Sequence, residues 1–174
     1  MRRMLLALAG LLACVPAWAD SPIIKWDRFE GVRFEATVDT PCIGGVICPG
    51  RPRTSGPGHA ILNLETGLLT FRVTGISNAA PYSNGVLGGP AAGPGWFYGT
   101  VVCDSTGRYG PVEYVDTPDV WFVDGGGSFT GIVALPDGCK NRPEETAFLL
   151  RRDAPDNPAI DGTYVAFGAG RTIR

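Results

Sequence analysis

From residue 29 to residue 167 the chain runs in short stretches of alternating apolar and polar side chains, nearly all of them cut off by Gly, Pro, Asn or Asp. A period of two places alternate side chains on opposite faces of a strand, and such frequent interruption leaves hardly a stretch long enough for an amphipathic helix. The 25 glycines and 15 prolines among 174 residues supply the interruptions, while a hydrophobic fraction of 44% provides enough apolar surface to offset the entropy of ordering the chain. The pattern predicts an all-β single domain, an antiparallel β-sandwich or barrel of about 8–9 strands.

Strands are predicted at Phe29 to Val38, Gly58 to Leu64, Leu68 to Gly75, Trp96 to Cys103, Val112 to Val115, Val120 to Val123, Ser128 to Leu135, Thr146 to Arg151 and Thr163 to Phe167. In the first of these, Val32, Phe34, Ala36 and Val38 fall on one face. Glu65-Thr66-Gly67 is a short glycine-containing connection of the kind that closes a hairpin, with Ala60, Leu62 and Leu64 on one side and Leu69, Phe71 and Val73 sharing a side on the partner strand. Asp124-Gly-Gly-Gly-Ser128 reads as a second hairpin turn, since it lacks the lysine of a phosphate-binding loop. Cys42–Pro57 and Asn78–Gly95 are rich in Pro and Gly and read as long surface connections.

The amino terminus has the character of an export signal. Arg2 and Arg3 precede the apolar run Leu5 to Val15, and Ala17-Trp18-Ala19 supplies small residues for cleavage before Asp20, so residues 1–19 read as a signal peptide and 20–174 as the domain. The run is too short to span a bilayer, and no later stretch supplies a transmembrane segment. Leu11-Leu12-Ala13-Cys14 also resembles a lipobox, which makes a lipid anchor at Cys14 the alternative to a secreted or periplasmic protein.

Cleavage after Ala19 leaves Cys42, Cys48, Cys103 and Cys139, an even number in an oxidising compartment. Four cysteines allow three pairings; the glycines of the short segment CIGGVIC favour Cys42 with Cys48, which leaves Cys103 for Cys139. The absence of a Cys-x-x-Cys and the single histidine, His59, argue against zinc.

Charge excludes one class of partner. Removing residues 1–19 takes two arginines and no acid from 15 basic and 17 acidic residues, leaving a net charge of −4 and no pull toward nucleic acid. No catalytic motif accompanies His59. Asp116, Asp119 and Asp124, or Glu144 and Glu145, are the carboxylates from which a glycosidase pair would be drawn. Asp153, Asp156 and Asp161 cluster in a turn-rich stretch as hard oxygen ligands for Ca²⁺, although their spacing is not that of an EF-hand loop, and the same residues make ordinary turns. Trp96, Tyr98, Tyr109 and Trp121, with Phe97 and Tyr114 beside them, are candidates for a platform that binds a sugar or another flat ligand, against the alternative that they fill the core.

The run Ala60-Ile-Leu-Asn-Leu-Glu-Thr-Gly-Leu-Leu-Thr-Phe-Arg-Val-Thr-Gly-Ile-Ser77 resembles the hairpin of CHRD-type domains, secreted all-β modules found in chordin and in many bacterial exported proteins. The His-x-His segment that commonly follows there has no counterpart between Asn78 and Gly95, so the resemblance implies a fold and export but no ligand set. The pattern from Cys139 through Ala147-Phe-Leu-Leu-Arg151 to Gly162-Thr-Tyr-Val-Ala-Phe-Gly-Ala-Gly170 is similar to the ends of uncharacterised bacterial exported proteins, which implies no activity. Together these readings lead to an exported, non-catalytic binding or structural domain with a glycan or protein partner at its long loops. The alternative is a carbohydrate-active hydrolase using paired carboxylates.

Overall fold

The computed structural model describes residues 22–32, 42–45, 47–50, 53–54, 56–78, 94–108, 111–156 and 162–174. The elements among them are β1 (Ile23–Gly31), β2 (Arg53–Thr54), β3 (Gly58–Asn63), β4 (Leu68–Val73), β5 (Ser77–Asn78), β6 (Gly95–Cys103), β7 (Glu113–Asp116), β8 (Val120–Phe122), β9 (Gly127–Ile132), β10 (Ala147–Asp153) and β11 (Tyr164–Ile173). A one-turn helix, Asp137–Asn141, and a 3₁₀ turn, Pro143–Glu145, precede β10. Nine strands form one antiparallel sheet in the order β7-β6-β10-β11-β1-β3-β4-β9, with β8 also paired to β6 beyond the end of β7, while β2 and β5 make a separate two-stranded ribbon.

The sheet curls until its two ends meet. Val123 and Gly126 exchange hydrogen bonds, the Val123 N–H donating at 3.1 Å and the Gly126 N–H at 2.9 Å, so the turn after β8 leads directly into β9 at the opposite end of the strand order. Asp124 and Gly125 both have positive φ, 50° and 70°, the backbone of a two-residue hairpin turn that Asp-Gly adopts readily. Gly127 keeps this junction closed, because a Cβ there would stand 2.2 Å from the Phe122 ring.

The alternation read from the sequence sets the inner face. Ala60, Leu62 and Leu64 on one arm of the β3–β4 hairpin and Leu69, Phe71 and Val73 on the other are all buried. The Asn63 side chain holds the intervening turn by accepting from the N–H groups of Glu65 (3.0 Å) and Thr66 (2.9 Å), and Gly67 completes it at φ 72°. At the centre, the Phe148 ring lies 5.8 Å from Trp26, 5.5 Å from Phe29 and 5.4 Å from Phe71. Gly99 faces this cluster; a Cβ at that position would come within 2.8 Å of both Phe148 and Phe71.

A second, smaller apolar cluster lies on the outside of the sheet. Val102, Leu149 and Tyr164 point away from the main core, and Val32 and Ile47 cover them, with Ile43, Val112, Ala147 and Phe167 packed at the margin. Cys42–Cys48 ties the short loop that carries Ile43 and Ile47, and Ile43 and Ile47 pair with each other across it. Cys103–Cys139 joins the end of β6 to the one-turn helix, and both of its cysteines are buried.

Three expectations change. The first strand begins at Ile23 rather than Phe29, because Ile24 and Trp26 are paired with Leu62 and Ala60 on β3 and buried, while the polar Lys25, Asp27 and Arg28 between them mask the pattern; residues 33–38 lie outside the described residues. The last strand continues past Phe167 to Ile173, since the glycine-rich segment from Gly168 pairs along β1 and Gly168 makes room for the Trp26 side chain. The five-residue helix at Asp137–Asn141 is too short to show a period of its own and exists where Cys139 is held against Cys103.

Two outcomes follow. Replacing Cys103 and Cys139 together by Ala removes a constraint across 36 residues of sequence and is expected to lower stability by about 4 kcal/mol in urea unfolding, against about 2 kcal/mol for Cys42 and Cys48, six residues apart. Burial raises the Tyr164 phenol above the ordinary tyrosine range, so the unfolded chain loses this proton first and the folded state is increasingly disfavoured above about pH 10. Its stabilising contribution is complete below that pH, and Tyr164→Phe is expected to flatten the alkaline limb of a stability–pH curve without moving the neutral plateau by more than about 1 kcal/mol.

Candidate functional site

The outer face of the sheet divides into two parts. One is covered by the Cys42–Cys48 loop through Ile43 and Ile47. The other part carries uncovered aromatics. On β6, residues 97, 101 and 103 point into the core, which turns Trp96, Tyr98, Thr100 and Val102 outward.

Register assembles the site. Trp96 is directly opposite Trp121 on β8, and across the other edge of β6 Tyr98 is opposite Arg151 and Trp96 opposite Asp153 on β10. Thr100 is opposite Asp116 and Val102 opposite Tyr114 on β7. Directly opposed residues project from the same face, so Trp121, Trp96, Asp153, Tyr98, Arg151, Thr100, Asp116 and Tyr114 share one surface. The two indoles meet edge to face with ring centres 5.0 Å apart, and they remain 46% and 48% exposed; Tyr114 is 48% exposed. Of the other two tryptophans, Trp26 is 1% exposed and Trp18 lies outside the described residues.

Arg151 organises the other half of the strip. Its guanidinium carbon lies 5.0 Å from the centre of the Tyr98 ring and 5.8 Å from that of Tyr114. The Arg151 Nε donates to the Gly162 carbonyl at 2.5 Å, and Nη1 is 3.4 Å from Asp116 Oδ1. Thr100 Oγ1 donates to the same Asp116 oxygen at 2.5 Å. The cation is thus matched by a carboxylate and holds two tyrosine rings in place, with its side chain only 13% exposed.

Of the platform residues expected from the sequence, Trp96, Tyr98 and Trp121 come together here, Tyr114 joins them, and Phe97 instead packs on Phe122 in the core at 4.6 Å. Tyr109 lies outside the described residues. Arg151 and Thr100 were not foreseen: neither type in isolation marks a site, and only the register of β6 with β7 and β10 brings them to Asp116. Within the proposed calcium set, Asp153 ends β10, Asp156 is exposed in the turn beyond it, and Asp161 is outside the described residues. Among the described residues no three His, Cys, Asp or Glu side chains gather as a metal site.

The carboxylates considered for glycosidase chemistry occupy three places: the end of β7 with exposed Asp119 just beyond it, the β8–β9 turn and the 3₁₀ turn. Asp116 is bound to Thr100 and Arg151, Asp124 occupies the β8–β9 turn, Glu144 and Glu145 lie in the 3₁₀ turn, and Glu145 pairs with Arg142 at 3.7 Å. His59 borders an open groove of about 630 Å³ with Lys25, Asp27, Arg28, Pro57, Gly58 and Ile61. Its charged residues have partners of their own: Lys25 is 2.6 Å from Asp27, whose carboxyl it holds below the usual range, and Arg28 is 2.8 Å from Glu30. None of these lining residues carries a hydroxyl or thiol nucleophile for His59 to activate. Among the described residues no helix is long and apolar enough to cross a membrane. Comparison with protein-family models, with curated proteins and with solved structures returns no significant match.

Arg151→Met retains the apolar stem and removes the charge. It is expected to cost about 2 kcal/mol through the lost ring contacts and the hydrogen bond to Gly162, and to weaken the near-ultraviolet circular dichroism of the tyrosines as Tyr98 and Tyr114 gain freedom. Unchanged stability and spectrum would show that Arg151 is not what orders the strip.

Proposed function

We propose that this chain is an exported, non-catalytic binding domain that engages its ligand on the aromatic strip of the outer face. The observation that carries the reading is the Trp96–Trp121 pair: two large aromatic side chains on adjacent strands, each nearly half exposed, whereas the rings of Trp26, Phe29, Phe71 and Phe148 are buried together in the core. Uncovered aromatics on rigid strands lose little entropy when a ligand stacks on them, and Trp and Tyr supply both an apolar face and a polar edge. Export is supported by the Arg2-Arg3, apolar and Ala17-Trp18-Ala19 signal pattern and by two disulfides, which persist in oxidising compartments. The resemblance of residues 60–77 to the hairpin of CHRD-type secreted modules points the same way. The strip lies on the convex side of a curled sheet whose interior is filled with side chains, an arrangement suited to holding a ligand against a surface rather than enclosing a reaction.

The test separates a binding surface from structural packing. Trp96→Ala with Trp121→Ala is expected to leave a folded protein that loses no more than about 1.5 kcal/mol in urea unfolding, whereas truncating core aromatics costs about 3–5 kcal/mol. A loss in that higher range would make the pair a packing element and overturn the reading. For export, the intact mass of protein from the full-length gene in a bacterial host is expected to begin at Asp20 with no labelled thiols. A diacylglycerol adduct on Cys14 would place the domain on a membrane instead, and retention of residues 1–19 with free thiols would defeat export altogether.

A further inference from the structure

Resting on that reading, we infer that the strip recognises a neutral polysaccharide, laid along β6 as an extended chain. The shape of the site argues for a polymer. Its rings form two groups rather than one: Trp121 and Trp96 stand together at one end, and Tyr98, two residues along β6, shares Arg151 with Tyr114, whose backbone lies opposite Val102 about 20 Å of strand from Trp96. A small ligand would touch one end of it. A chain of rings with apolar faces and polar rims can use its whole length.

Charge selects among polymers. The cation within the strip, Arg151, is matched by Asp116 and further bound to the Gly162 carbonyl, while Asp153 is in register beside Trp96. With Arg151 neutralised, the strip itself carries a surplus of negative charge, and the chain after removal of residues 1–19 has 13 basic against 17 acidic residues. Uronate or phosphate polymers are therefore repelled rather than attracted. Hydrogen-bonding polarity selects further. The carboxylates of Asp116 and Asp153 accept while the indole N–H and phenol groups donate, so a matching ligand offers donors to the carboxylates as well as acceptors. Sugar hydroxyls donate in abundance. A proline-rich peptide, the other extended ligand that favours aromatic surfaces, offers carbonyl acceptors and almost no donors. A quaternary ammonium ligand suits carboxylates and aromatics, but it calls for rings that box one point, and the edge-to-face pair Trp96–Trp121 forms no such box.

The test uses the processed, disulfide-bonded chain in native electrophoresis through gels containing β-glucan, xylan, galactomannan or dextran, with alginate as the acidic control. Titrations of tryptophan emission with decaproline and with choline run in parallel. Retardation by at least one neutral polysaccharide is expected, without retardation by alginate. Trp96→Ala with Trp121→Ala should weaken it at least about tenfold and Tyr98→Ala with Tyr114→Ala should weaken it further along the same strip. Retardation by none of the four overturns the polysaccharide assignment. If decaproline or choline then shifts the emission of the native protein but not of the Tyr98→Ala/Tyr114→Ala variant, which keeps both exposed tryptophans, the strip is still a binding face and only the ligand class fails. Equal retardation of native and variant protein by a neutral polysaccharide would instead remove the strip from recognition and defeat both readings.

Discussion

The structure depends on the packing of Phe148 against Trp26, Phe29 and Phe71, opposite a residue that has no side chain at all. These four rings come from β10, β1 and β4, alternate strands of the sheet, and they meet because Gly99 on β6 leaves the space that a Cβ would occupy. A sheet with one apolar face has to cover it, and here it does so by curling on itself around these rings. The hairpin at Val123–Gly126 closes the remaining gap, with Phe122 packed on Phe97 just inside it.

Because the inner face consumes one side of every long strand, whatever the molecule does by contact is decided on the other side. That outer side is treated in two ways. Over Val102, Leu149 and Tyr164 the chain folds a disulfide-closed loop, and Ile43 and Ile47 shield the apolar groups. A few residues along the same strands none of the described residues covers Trp96, Trp121 and Tyr114 in this way, and Arg151, paired with Asp116, holds the Tyr98 and Tyr114 rings. Apolar surface that is shielded in one place and left open in the next is the contrast from which the binding proposal arises.

Legibility followed burial. The β3–β4 hairpin could be read residue by residue because its inner positions are aliphatic or aromatic and its turn carries Asn63 and Gly67, so local preference and tertiary packing agree. The disulfide pairing was legible for a similar reason, the glycines between Cys42 and Cys48 making their short closure feasible. The beginning of β1 and the end of β11 were not. Each is held by pairing with the other, and Lys25, Asp27 and Arg28 on one side and Gly168, Ala169 and Gly170 on the other carry no alternation that would announce a strand. As for the site, Trp96, Tyr98 and Trp121 could be named as aromatics near strand ends, but whether each faced the core or the solvent depended on which neighbours were inward. Phe97, between two of them, went the other way.

By itself the sequence determined that this is an antiparallel β domain closed by two disulfides, because period-two alternation, turn residues and cysteine spacing act over a few residues and need no knowledge of distant partners. The tertiary structure alone decided that β8 would pair with β6 and β9 with β4, so that the hairpin between them closes the curl, that one loop would shield part of the outer face, and that Arg151 would reach Tyr98, Tyr114 and Asp116. Those outcomes rest on the register of strands separated by tens of residues. A shift of one residue turns a side chain from one face to the other, and no local preference fixes it.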